Sequence, residues 1–210
     1  MLRELVGAGY AVTTTWIVER ERDRVGSELG DAVGLVKADL TVPEGAEDAV
    51  AGVERLEAVV NLVGGFMAGP KLHEIEPHDF ARMLELNATT AFHVARAAAP
   101  ALISNGGGAF VAVSARPALR PFPGSAAYSV SKAAVLALVQ AMDADYKHDG
   151  VRANAILPSV IDTPANRANE PDADFSKWVP PDRIAKVIRF LISPDSAATS
   201  GAAIPVYGRA

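Results

Sequence analysis

The stretch Ala109–Ile161 reads AFVAVSARPALRPFPGSAAYSVSKAAVLALVQAMDADYKHDGVRANAILPSVI. Its first six residues, Ala109–Ser114, form a short apolar run of the kind found in strands. A loop containing Gly and Pro follows, and then a long helical pattern from Ala126 to Tyr146 that ends near Gly150. Val151–Ile161 begins as a second strand and leaves it at Pro158. A strand, a helix and a strand in this order form a crossover unit that joins parallel strands. Neither apolar run alternates strictly, which points to strands covered by helices on both faces.

The same rhythm extends in both directions. Upstream, Ala11–Ile17 (AVTTTWI) is β-branched and follows Gly7-Ala8-Gly9-Tyr10, a helix-stop and turn signal. Glu19–Leu29 reads as a charged helix and Val33–Leu40 as a strand. Pro43–Val53 is a short helix introduced by Thr41 and Pro43. Leu56–Val63 is a strand running into Gly64-Gly65, and Pro77–Ile103 reads as one long helix. Downstream, Pro181–Ile192 is a helix and Ala202–Tyr207 a final strand. The pattern predicts one α/β domain over residues 1–210, a Rossmann-like doubly wound parallel sheet flanked by helices. Residues 162–180, rich in Pro, Asn and Asp, are the irregular exception and the candidate substrate loop.

Composition narrows the function classes. The 210 residues are 50% hydrophobic and 21% charged, with a net charge of −5 and no basic block, so neither nucleic acid nor a membrane is an expected partner. No cysteine is present, which excludes disulfides, thiolate catalysis and zinc–thiolate sites. The four histidines, His73, His78, His93 and His148, lack metal-ligand spacing, and no metal is expected. No signal peptide or membrane span is visible, and the expected location is the cytoplasm.

Tyr128-Ser129-Val130-Ser131-Lys132 carries the chemistry. A Tyr and a Lys four apart share one helix face, where the ammonium favours the ionised phenol. A phenol near its ordinary pKa of about 10 is a poor base at neutral pH, so such help is needed. The pair is a weak signal alone, but other segments agree in order. Asp39-Leu40-Thr41 closes a strand, Asn61-Leu62-Val63-Gly64 closes the next, Asn87 lies in the long helix, and Asn154–Thr163 reads NAILPSVIDT.

Taken together, these motifs resemble the short-chain dehydrogenase/reductase family along essentially the whole chain. The resemblance implies hydride transfer between NAD or NADP and a small carbonyl or alcohol substrate. It implies that Tyr128 protonates the substrate oxygen, that Lys132 lowers the Tyr pKa and holds the ribose, and that Asn87 keeps a relay water. It implies cofactor contacts at Asp39, Leu40, Asn61, Val63, Gly64, Tyr128, Lys132, Ile161 and Thr163. It also implies a homodimer or homotetramer packed through the two long helices. Each residue has a plainer reading as well: Asp39 as a turn or cap residue, Asn61 and Asn87 as backbone partners, Thr163 as a helix start.

Two departures from the family pattern stand out. The sequence opens in what reads as the second half of the family's first helix, so the first strand and its glycine-rich phosphate turn are missing from it. Gly7-x-Gly9 precedes a strand and reads as a helix C-terminal turn. Loss of a central strand is expected to leave an unpaired gap in the sheet, and either a misplaced start or a true truncation accounts for it. The second departure is Ala115, at the position of the family's catalytic Ser. Ser114 becomes catalytic only if a one-residue bulge turns it into the cleft. Dihydropteridine reductases also resemble this arrangement of Tyr and Lys without Ser. Two readings follow: an oxidoreductase, or a catalytically impaired relative that serves as a binding or assembly protein.

Overall fold

The computed structural model describes residues 1–209. The chain alternates helix and strand: α1 (Leu2–Gly7), β1 (Val12–Trp16), α2 (Glu19–Leu29), β2 (Val33–Lys37), α3 (Pro43–Ala51) and β3 (Ala58–Asn61). It continues with α4 (Pro77–Leu84), α5 (Thr90–Ser104), β4 (Gly108–Val113), α6 (Ala126–Tyr146), β5 (Val151–Pro158), α7 (Pro164–Asn169), α8 (Pro181–Ile192) and β6 (Ala203–Val206). All strand pairs are parallel. Pro at the first turn opens α3, α4, α7 and α8, where its missing N–H costs nothing.

β4 and β5 are the centre of the sheet. Phe110, Val111, Ile156 and Leu157 are fully buried because helices cover both faces. One face packs Phe110, Ala112, Ala153, Ala155 and Leu157 against Ala91, Val94, Ala98 and Leu102 of α5 and Val135 and Val139 of α6. The opposite face packs Val111 and Ile156 against Ile184, Ile188 and Leu191 of α8, with Leu5 of α1 alongside. The doubly wound α/β reading of the sequence therefore holds.

Two expectations change and one is met. The long helix over 77–103 is interrupted: residues Glu85–Thr89 form a single π turn between α4 and α5. The irregular segment 162–180 carries the short helix α7 and a 3₁₀ turn at Phe175–Lys177. The sheet is divided into two parts, β1-β2 and β3-β4-β5-β6. Between β1 and β3 lies a slot of about 330 Å³, lined from one side by Thr13, Thr14 and Thr15 and from the other by Ala58, Val59 and Val60. The sheet thus shows the gap that the sequence led us to expect.

Candidate active site

The candidate site sits where β3, β4 and β5 end. Tyr128 lies in the first turn of α6, and Lys132 follows one turn later. The Lys132 ammonium nitrogen is 6.0 Å from the centre of the Tyr128 ring. It donates a 2.9 Å hydrogen bond to the Val113 carbonyl at the end of β4. Burial lowers the Lys132 pKa from 10.5 to about 8, because the cation loses water and no carboxylate replaces it. Burial also raises the Tyr128 pKa from 10.0 to about 12. The expected depression of the phenol is therefore absent in this state, since desolvation outweighs the neighbouring cation. Phe66 meets the Tyr128 ring edge-on at 4.9 Å and adds to that desolvation.

Asn87 occupies the π turn and is almost wholly buried. Its Oδ1 accepts from the Gly65 N–H at 3.0 Å. Its Nδ2 donates to the Gly65 carbonyl at 3.1 Å and to Ser131 Oγ at 3.0 Å. The carboxamide thus ties the segment after β3 to the Tyr/Lys helix. Gly64 adjoins this knot: a Cβ there would collide with Asn87 Oδ1 and lie 2.9 Å from Lys132 Nζ. Only glycine lets the chain pass this close.

The other sequence candidates divide into two groups. Asn61 is buried at the end of β3, and its Oδ1 accepts from the Val63 N–H at 3.4 Å. Val63 is 40% exposed, so this turn presents an apolar surface to solvent. Asp39 accepts from both the N–H and the hydroxyl of Thr41, at 2.9 and 2.6 Å, which holds its pKa below the usual carboxylate range. Leu40 is buried and its carbonyl lies 3.2 Å from His93 Nδ1. Asp39 is thereby a turn-forming residue, whatever else it contacts. Thr163 caps α7, accepting from the Asn166 N–H at 3.2 Å. Ile161 forms a bridge with Val179, and its carbonyl accepts from Asn166 Nδ2 at 2.8 Å.

Ser114 is turned away from the cleft. It is 1% exposed and its hydroxyl donates to the Lys132 carbonyl at 2.7 Å. No bulge rotates it, because Ser114 N–H continues the β4–β5 ladder to the Ile156 carbonyl at 2.9 Å. By strand alternation Ala115 takes the opposite side, with a methyl group where the family pattern has a hydroxyl. Ser131 and Gly65 were missed in the sequence, which did place Phe66 in a loop beside the cleft. Ser131 lies one turn from Tyr128 on α6, and the i,i+3 spacing was the signal available for it. Nothing in the sequence revealed the contacts of Gly65 and Phe66, which depend on how the segment after β3 folds back.

The site and fold define a nicotinamide-type oxidoreductase of Rossmann architecture. A family model described as enoyl-(acyl carrier protein) reductase matches residues 2–208, and the chain belongs to this branch of the short-chain dehydrogenase/reductases. It is 30% identical over 191 residues to galactitol 2-dehydrogenase of Rhizobium johnstonii, covering 85% of this chain and 72% of that one. A short-chain dehydrogenase/reductase structure from Mycobacterium ulcerans matches at a TM-score of 0.90 and 26% identity, over 99% of this chain and 85% of that one. An NAD+-bound xylitol dehydrogenase structure matches at a TM-score of 0.91 and 21% identity, over 99% and 92%, which shows shared fold. Family membership carries the general chemistry: hydride transfer between a nicotinamide cofactor and a small carbonyl or alcohol. Among the described residues no helix is long and apolar enough to cross a membrane.

Proposed function

We propose that this chain reduces a small carbonyl compound with NADPH, Tyr128 donating the proton to the substrate oxygen. The observation that carries this reading is the Tyr128–Lys132 pair, one helical turn apart beside the Gly64 close approach. When bound, the nicotinamide supplies hydride to the carbonyl carbon. The Tyr128 phenol, with its pKa near 12, keeps its proton at neutral pH and is ready to act as the acid. Lys132 supplies positive charge beside the phenolate left behind, and its N–H groups suit ribose hydroxyls. Asn87 is a positioning residue, because its carboxamide is already bonded to Gly65 and Ser131.

The donors at Tyr128 and Lys132 fit the nicotinamide and its ribose. The described residues hold no strand followed by a glycine turn and a helix, so a pyrophosphate cradle of the usual kind is not among them. NADP is favoured over NAD by the tip of β1. No carboxylate stands at the end of β1 itself, Lys37 lies 5.5 Å from the centre of the Trp16 ring, and Arg22, paired with Asp23 at 2.7 Å, lies 5.1 Å from it. Cations at this tip suit a 2′-phosphate. Residues 162–180 belong to the proposal as the substrate loop. The half-exposed Phe92 on α5 and Val130 on α6 support homo-oligomer formation through those helices.

The test is turnover with NADPH and NADH against a panel of small aldehydes and ketones. The expected result is activity with NADPH that falls at least a thousandfold in Tyr128→Phe while the fold is retained. Equal turnover in Tyr128→Phe would sink the assignment.

A further inference from the structure

Large apolar side chains gathered at the surface mark a place where something binds. Such a gathering flanks the proton donor. The segment after β3, residues 62–70, reads LVGGFMAGP and contains no charged residue. Phe66 stands in its middle and is 66% exposed. Leu72, just beyond it, and Leu119 and Phe122, in the loop between β4 and α6, are exposed as well.

Phe66 is exposed yet its backbone is fixed on both sides. Before it, Gly65 gives its N–H and its carbonyl to the Asn87 carboxamide. After it, the Gly69 N–H donates to the Gly124 carbonyl at 3.0 Å, which ties this segment to the loop before α6. Gly124 has a φ of +80°, and a Cβ there would lie 2.8 Å from the Gly69 carbonyl oxygen, so the two loops meet backbone to backbone. Phe122 is held close to that contact: Ser125 Oγ accepts from its N–H at 3.0 Å and donates to its carbonyl at 2.6 Å. The Phe66 ring rests on Tyr128 at 4.9 Å with the two planes 75° apart. A T-shaped contact occupies at most one face of the Phe66 ring and leaves the other open. An aromatic face already held in place takes an apolar group at little cost in side-chain entropy.

Charge points the same way. Arg116 and Arg120 are the charged residues of the loop at 115–125. The Arg116 guanidinium is engaged elsewhere, 5.1 Å from the centre of the Tyr207 ring beyond β6. Within its own segment Phe66 is bordered by uncharged residues alone.

We propose that Phe66 determines substrate choice: it holds a bulky apolar group attached to the carbonyl of a neutral substrate while the oxygen takes the Tyr128 proton. The inference rests on the reading of Tyr128 as the donor. Ring pairs favour centres about 4.5–7 Å apart. A phenyl group bonded to a carbonyl carbon that faces the phenol can come within this range of a ring already touching Tyr128. A methyl or ethyl group in its place leaves most of the Phe66 face wet.

The test compares acetophenone, 2-butanone and pyruvate on wild type, Phe66→Ala and Tyr128→Phe. Binding is followed by chemical-shift titration of the protein, with NADPH and without it. Wild type is expected to bind acetophenone about tenfold tighter than 2-butanone or pyruvate, and Phe66→Ala to lose most of that preference. Tyr128→Phe is expected to keep it, which separates binding choice from proton transfer. In turnover, the ratio of kcat/KM for acetophenone to that for 2-butanone is expected to fall about tenfold in Phe66→Ala. This ratio cancels the influence of Phe66 on the Tyr128 phenol, which both substrates share. An unchanged preference in Phe66→Ala would overturn the assignment, as would no binding of acetophenone under either condition. Tighter binding of pyruvate than of acetophenone, lost in Arg116→Ala, would give substrate choice to Arg116 and also overturn it. Equal turnover in Tyr128→Phe would remove the donor, while the binding titration would still decide the role of Phe66.

Discussion

Lys132 makes the stability of this protein depend on pH in an unusual window. Its folded pKa is about 8 against 10.5 when unfolded. Between these values the unfolded chain binds a proton that the folded chain has released, so stability rises with pH. Over the whole window the effect is about 3 kcal/mol. Between pH 7.5 and 10 about 2 kcal/mol of it accrues, because the unfolded lysine is still partly protonated at the upper end. Tyr128 acts in the opposite sense above pH 10: it keeps its proton up to about 12 when folded, whereas the unfolded phenol loses it from 10.0. The assay is therefore urea unfolding in steps from pH 7.5 to 10, on wild type and on Lys132→Met, which preserves the apolar stem. Wild type is expected to gain about 2 kcal/mol and the variant to stay flat. A flat wild-type profile, or an equal rise in Lys132→Met, would refute the idea that an uncompensated buried ammonium sits beneath the site.

Three substitutions probe the rest of the cleft. Gly64→Ala is expected to lose about 1–3 kcal/mol of stability and to weaken NADPH binding at least tenfold, since its methyl displaces Asn87 and Lys132; an unchanged Kd by calorimetry would remove Gly64 from the site. Ser114→Ala is expected to cost about 1 kcal/mol through the lost bond to the Lys132 carbonyl while kcat stays within about twofold. A collapse of kcat with stability intact would instead place this hydroxyl on the substrate. Ala115→Ser restores a hydroxyl on the opposite side of the chain and is expected to raise kcat on the order of tenfold. No gain in steady-state assays would mean that another group already holds the substrate oxygen.

The fold was legible because its signals are local. The β-branched run at 11–17, the apolar runs at 56–63 and 109–114, and the long helical pattern at 126–146 each announce themselves within a few residues. Spacing also put Tyr128 and Lys132 on one helix face, and the motif order placed Asn87 beside them. What escaped was long-range or energetic. The π turn at 85–89 exists because Asn87 reaches the backbone of Gly65, 22 positions away, and no helical period encodes that. The sign of the Tyr128 shift depends on how deeply the ring is packed beneath Phe66, which a four-residue spacing cannot convey. Ser114 was a matter of strand parity, settled once its N–H was found in the regular ladder to Ile156.

The π turn has a further consequence for evolution by insertion and deletion. Such a turn holds one residue more than an α-turn, and each residue of α-helix advances the side-chain direction by about 100°. Removing a single residue from Glu85–Thr89 would regularise the helix with α4 and α5 still in phase, because the wide turn already absorbs the extra residue. Ala91, Ala95 and Ala98 would stay against the sheet, while Asn87 would lose the wide turn that lets its carboxamide bridge Gly65 and Ser131. Length in this segment is therefore constrained by the cleft and tolerated by the core.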